Sequence, residues 1–180
     1  TAQISGYSGS GGDVVLPSAI DGYTVTRIDD SAFADCRKLT SVIIPETVTS
    51  IGERAFAGCS SLRTVVIPSS VTQIGGQVFS GCRKLTTVNI PNTVTRISDW
   101  MFGNCINLTS VTIPDSVTAI GSSAFSGCTA LMTADIPGSV TTIGDSAFSG
   151  CSNLTSVVVP DGVTRIGSYV FNECTGLTSV

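Results

Sequence analysis

Residues 39–61 read LTSVIIPETVTSIGERAFAGCSS, and residues 62–84 read LRTVVIPSSVTQIGGQVFSGCRK. Laid one under the other they agree at Leu39/Leu62, Val42/Val65, Ile44/Ile67, Pro45/Pro68, Val48/Val71, Ile51/Ile74, Phe56/Phe79 and Cys59/Cys82. The step of 23 residues runs through the chain: all seven cysteines (Cys36, Cys59, Cys82, Cys105, Cys128, Cys151, Cys174) keep it, and so do all seven phenylalanines, from Phe33 to Phe171. Six prolines, Pro45 to Pro160, keep it too, whereas Pro17 lies 28 residues before Pro45, so the opening unit carries a five-residue insertion. A single repeating domain therefore spans 1–180: a divergent opening unit at 1–38, six unbroken units at 39–176, and a truncated next unit at 177–180.

Counting each leading Leu as position 1, positions 1, 4 and 6 are apolar, and the alternation over 4–6 is the two-residue period of a strand. Pro at position 7 has no N–H to offer a ladder and ends that strand. Val at 10 and Ile at 13, as in Val48 and Ile51, turn inward again and predict a second short extended segment. Gly at 14 suggests a tight bend. The Ala-Phe-x-x-Cys run places Ala55, Phe56 and Cys59 near one face of a single helical turn. One such unit cannot cover its own apolar side chains, but stacked units can, so a solenoid follows.

The L-x-x-V-x-I run with the I-G-x-x-A-F-x-g-C tail resembles the BspA-like (treponemal-type) leucine-rich repeats of surface proteins, and the resemblance covers nearly the whole chain. The opening segment is similar as well, through Ile4-Ser5-Gly6-Tyr7, Val14-Val15-Leu16-Pro17 and Ile20 to Val25. The resemblance implies an α/β leucine-rich repeat solenoid: a right-handed superhelix with one parallel concave sheet, and with short helical turns and short extended segments on the convex side. Parallel strands stand about 4.8 Å apart, so seven rungs span roughly 34 Å. Position 9 departs from the commoner leucine-rich repeat, with Thr47, Ser70, Thr93, Ser116, Ser139 and Gly162 where Asn or Cys is usual, so no buried Asn ladder is expected.

Composition narrows the function. The net charge is −4, only 12% of residues are charged, and there is no His. Absence of His removes Ser-His and Cys-His nucleophile pairs and mixed-ligand zinc sites. An acidic chain with no basic face is not a nucleic-acid binder. No apolar run approaches the roughly 20 residues of a membrane-spanning helix, and Thr1-Ala2-Gln3 does not open a signal peptide. One Cys per unit, always three residues after Phe, reads as a buried ladder of free thiols. An odd count forbids complete pairing, and equivalent side chains on neighbouring rungs run parallel rather than adopting disulfide torsions. No metal site and no cofactor is expected. The glycine-dense Gly6–Gly12 stretch lacks the ending of a phosphate-binding loop and reads as a loop, and Asp29-Asp30 reads as a solvated pair. The sequons at Asn107 and Asn153 arise from Asn at position 23 meeting the next unit's Leu-Thr.

Recognition in a solenoid falls to exposed columns that vary from unit to unit. Position 5 varies most, through Ile43, Val66, Asn89, Thr112, Asp135 and Val158, and position 2 contributes Arg63 and Met132. The Ser/Thr at position 3 suits strands for its own sake. The fourth unit, 85–107, breaks the pattern with Ser98 for Gly, Met101 for Ala, and Trp100, the chain's only Trp; Tyr169 holds the position equivalent to Trp100 three units later. Trp100 is either an exposed interaction residue or a side chain folded over a neighbouring rung. Charge drifts along the axis, from eight Lys/Arg against seven Asp/Glu in 1–96 to one against six in 97–180.

The resemblance implies a non-catalytic protein-binding or adhesion module of a secreted or cell-surface protein, with a host extracellular-matrix or cell-surface protein as ligand on the concave sheet. A carbohydrate-binding or accessory repeat domain of a larger secreted enzyme, and a structural spacer, are the alternatives. The array stops mid-strand at Leu177-Thr178-Ser179-Val180, and an uncapped sheet edge is a template for pairing. The expectation is a fragment, or an edge covered by a partner or by a second copy of the chain.

Overall fold

The computed structural model describes residues 1–179; Val180, the last residue of the truncated unit, lies outside the described residues. Each unit contributes to two rows of parallel strands. The first row holds β2 (Gly12–Val15), β5 (Leu39–Ile43), β7 (Thr64–Val66), β11 (Thr133–Asp135) and β13 (Ser156–Val158). Single parallel bridges through Asn89 and Thr112 carry it from β7 to β11. The second row is the predicted extended segment around position 13. It holds β1 (Ala2–Ile4), β4 (Tyr23–Ile28), β6 (Ser50–Ile51), β8 (Gln73–Ile74), β9 (Arg96–Ile97), β10 (Ala119–Ile120), β12 (Thr142–Ile143) and β14 (Arg165–Ile166). Residues 23 apart pair in register, as in Ile43 with Val66 and Ile120 with Ile143.

The five-residue insertion is a hairpin. β3 (Ala19–Ile20) pairs antiparallel with β4 around Asp21-Gly22. Both turn residues have positive φ, 50° and 80°, which is the geometry Asp-Gly favours between two strands. The residues before it supply part of a further coil: Ile4 pairs with Ile28 in the isoleucine column, and the Tyr7 ring stacks on Phe33 at 5.1 Å.

The expected helical turn does not form; among the described residues there is no helix. Two left-handed residues per unit interrupt the Ala-Phe-x-x-Cys run. Position 16 has φ near +57°, as at Arg54, Gln77 and Trp100, and position 20 is left-handed at Asp35, Gly58, Gly81, Asn104, Gly127, Gly150 and Glu173. At positions 16, 18 and 20 the backbone N–H groups point along the solenoid axis, while that of position 19 bonds back to position 16. The N–H of Phe56 donates to the Val78 carbonyl at 3.0 Å and that of Gly58 to Ser80 at 2.8 Å. The turns thus form a third row of inter-rung hydrogen bonds, satisfying groups that a helix would have satisfied internally. The repeat is a parallel β-solenoid of about seven turns, with two strand rows where the sequence suggested one sheet.

Two columns mark the centre, and a third, at position 9, lies part-buried at its edge. The Phe rings from Phe33 to Phe171 stack at 5.0–5.8 Å, and each such aromatic pair adds about 0.5–1.5 kcal/mol beyond its burial. The thiol column lies beside it, with all seven cysteines free. Position 9 replaces the Asn ladder with a hydroxyl ladder: Ser70, Thr93, Ser116 and Ser139 each donate to the carbonyl of the preceding unit's position-10 valine. Thr47 Oγ1 is the exception, buried without a partner.

The position-14 glycines serve close approach rather than a bend. None has a left-handed φ, and a Cβ on Gly52, Gly75, Gly121, Gly144 or Gly167 would lie 2.3–2.5 or 2.6 Å from atoms of the preceding rung. Ser98 brings a Cβ to this position in the fourth unit.

Candidate functional site

The first strand row brings the position-5 residues together. Register pairs and bridges make one unbroken column, Val15–Ile43–Val66–Asn89–Thr112–Asp135–Val158. Alternation turns Val42 and Val65 into the core and leaves position 5 outside; Val15 is 72%, Ile43 51%, Val66 60% and Val158 76% exposed. Three adjacent apolar side chains therefore face solvent at one end of the row, followed by an amide, a hydroxyl, a carboxylate and a valine. Val15 escaped the sequence reading because the insertion shifts its spacing to 28 residues from Ile43. The signal was the likeness of Val14-Val15-Leu16-Pro17 to the strand-and-proline end of the later units.

Arg63 and Met132 stand at position 2 of the same row, both exposed. Asp13, beside Val15, accepts hydrogen bonds from the hydroxyls of Thr40 and Ser41, each at 2.7 Å. These bonds, Thr40's first, hold its carboxyl below the usual value. Elsewhere the surface hydroxyls are spent within the solenoid: Thr109, Thr155 and Thr178 donate to the carbonyl one rung back, as do Thr49, Thr72, Thr118, Thr141 and Thr164 on the second row. The threonines at positions 2 and 11 are thus structural, whereas of the position-3 hydroxyls only Ser41 is bonded to another side chain.

Trp100 and Tyr169 do not join this column. Both are position-16 residues on the arch after the second row, at φ 57° and 59°. Trp100 is 40% exposed, yet its ring also leans over Gly103 of its own unit, where a Cβ would lie 2.5 Å from Cε3. It lines a hollow with Glu53, Gln77, Arg96, Ser98 and Asp99, none of them from the first row. The ten residues singled out from sequence therefore divide between two surfaces.

Chemistry at the thiols is suppressed. Burial pushes the Cys59 and Cys128 thiols up to about 12, and those of Cys82, Cys105 and Cys151 upward as well. Each of these donates from Sγ to a Phe carbonyl one rung back. A nucleophilic Cys needs the thiolate, and this column favours the thiol. Among the described residues no three His, Cys, Asp or Glu side chains group as a metal site, and no helix is long and apolar enough to cross a membrane.

Stacked 23-residue units with apolar strand columns define a leucine-rich repeat solenoid. The family profile described as BspA type leucine rich repeat region matches in six copies over residues 17–132 and 74–180, and the chain belongs to that family. The chain is similar to the crystal structure of the Treponema pallidum leucine rich repeat protein TpLRR, with 34% identity and a TM-score of 0.89 over 97% of this chain and 82% of that one. It is also similar to a leucine rich cell surface protein of Faecalibacterium prausnitzii, with 31% identity and a TM-score of 0.59 over 99% of this chain and 71% of that one. No functionally curated protein matches the chain in sequence.

Proposed function

We propose that this chain is a non-catalytic protein-binding module of a secreted or cell-surface protein, and that its ligand docks on the position-5 column of the first strand row. The observation that supports this most is the run Val15–Ile43–Val66, three register-paired apolar side chains each at least half exposed. Contiguous exposed apolar surface on a soluble protein marks an interaction site more often than chance exposure does. Strand rows built on uniform core columns keep these side chains at fixed spacing, so little ordering entropy is lost on docking. Arg63 beside the apolar end, and Asp135 toward the other, give the surface polarity along its axis.

The cell-surface assignment draws on the family and on the description of the Faecalibacterium relative. A host extracellular-matrix or cell-surface protein is the class of partner that suits such a module. The test is binding of the purified chain to a panel of immobilised extracellular-matrix proteins by surface plasmon resonance. Saturable binding to at least one, lost with Ile43→Lys, is the expected result. Binding that Ile43→Lys leaves unchanged would move the site off this column.

A further inference from the structure

Between the third and fourth units the second strand row is open. β6 pairs with β8, and β9 with β10, but among the described residues β8 and β9 do not pair. The same place lacks a bond made all along the row. Thr49 donates its N–H to Thr26, Thr72 to Thr49, Thr118 to Thr95, Thr141 to Thr118 and Thr164 to Thr141, whereas Thr95 makes no such bond to Thr72.

Ser98 accounts for the break. Every other unbroken unit has Gly at this position, and there a Cβ would stand within 2.6 Å of the rung before. Ser98 carries that Cβ and wedges the row apart. Its hydroxyl donates to the Ile74 carbonyl at 2.7 Å, taking over the bond that the N–H of Gly75, Gly121, Gly144 and Gly167 makes to the equivalent isoleucine. The third row stays closed across the gap, with Gln77 N–H on the Asp99 carbonyl at 2.9 Å, and the Val66–Asn89 bridge keeps the first row joined, although the Thr86 N–H there also lacks the bond to the rung before that its equivalents make.

Two further departures shape the result. Gly76 sits between Glu53 and Asp99 in the position-15 column and leaves a space there, and Gly103 lets the Trp100 ring lie flat against its own unit. Adjoining hollows of about 500 and 460 Å3 share Glu53, Arg96 and Ser98, within the range of about 300–1,000 Å3 of small-molecule sites. Their walls combine one aromatic face, the carboxylates of Asp30, Glu53 and Asp99, two amides and the guanidiniums of Arg27 and Arg96, with the Thr95 N–H and the Thr72 carbonyl free of partners in the protein. Arg96 holds Asp99 at 3.0 Å, which orients both.

We infer that this opening is a second binding site, separate from the position-5 column, and that it takes an uncharged saccharide unit stacked on Trp100. A pyranose ring has an apolar face that matches an indole and a rim of hydroxyls that both donate and accept. The hollow offers that pairing: carboxylate and carbonyl oxygens as acceptors, and guanidinium, amide and backbone N–H as donors. Three carboxylates against two guanidiniums disfavour an anionic sugar.

Trp100 is the chain's only Trp, so indole emission, excited apart from the three tyrosines, reports on this site alone. The experiment titrates the protein with maltotriose, cellotriose, xylotriose and N-acetylated chitotriose, each to about 10 mM, enough to detect a millimolar Kd, with sialyllactose as the anionic comparison. At least one neutral trisaccharide should shift the emission saturably and give a matching calorimetric Kd. Trp100→Gly, which suits the left-handed φ, should weaken the calorimetric binding at least about tenfold. Ser98→Gly restores the residue of the other units; it should close the row, keep or raise the melting midpoint, and abolish binding with Trp100 still present. No response to any of the four, binding that survives Ser98→Gly in a folded protein, or sialyllactose binding as tightly as the neutral sugars would each overturn the inference.

Discussion

The Cys105 thiol donates to the Phe79 carbonyl at 3.1 Å, across one full rung, while the N–H of Cys82 donates to the same oxygen at 3.0 Å from within the rung. One carbonyl thus serves a local turn and an inter-rung bond together, and the pattern recurs from Phe33 to Phe148. The cysteine at position 21 is held there by size and by this weak donor, not by reactivity.

Thiol accessibility follows. Cys59, Cys82, Cys105, Cys128 and Cys151 are fully buried, and Cys36 alone is part-exposed. Titration of the native protein with a thiol reagent should show Cys36 reacting well ahead of the rest, and denaturant without reductant should release all seven. Rapid labelling of Cys105 in the native state would contradict the buried ladder.

Stability should fall in alkali. The folded Cys59 and Cys128 thiols sit at about 12 against an ordinary 9.0. Below the ordinary value folded and unfolded chains bind the same protons at these thiols. Above it the unfolded chain loses protons first, so stability drains as pH rises from about 9 toward about 12. The slope is about 1.4 kcal/mol per pH unit for each thiol so buried. Urea midpoints in the presence of reductant should drop between pH 8 and pH 10.5, by roughly what several such thiols contribute together. An unchanged midpoint would show that the thiols do not titrate on unfolding.

The hydroxyl ladder makes two similar substitutions unequal. Thr93→Val removes a donor from the buried Val71 carbonyl and should cost about 1–2 kcal/mol. Thr47 Oγ1 has no partner to lose, so Thr47→Val should be neutral or stabilising. Chemical denaturation of both variants checks the contrast, and equal losses would contradict it.

Much of this was legible in the residues. Strict recurrence of Phe, Cys and Pro fixed the rung length and the core columns, and the period-2 pattern around Val42 marked the first row. The turn was misread because Phe56 and Cys59, three apart, face the same way in a helical turn and in a run of tight turns alike. The column Asp35, Gly58, Gly81, Asn104, Gly127, Gly150 held the clue, since Gly, Asn and Asp are the residues that tolerate a left-handed φ. Position 16 carried no such sign, with Arg54, Gln77, Trp100 and Tyr169 forced into the same conformation by the bonds around them. The position-5 column was visible apart from Val15, which the hairpin insertion displaced. Ser98 stood out only as an exception; that it opens the second row depends on the distance between rungs, which no single unit encodes.

The most direct measurement is a lysine scan of exposed positions against whichever matrix protein binds, read as Kd by surface plasmon resonance. Val15→Lys, Ile43→Lys and Val66→Lys should each weaken binding at least about tenfold, or about 1.4 kcal/mol, with melting midpoints unchanged because the side chains are exposed. Thr118→Lys, on the second row, should leave Kd unaltered. The contrary pattern, with the three first-row variants binding as the parent does and Thr118→Lys impaired, would show that the ligand docks elsewhere on the solenoid.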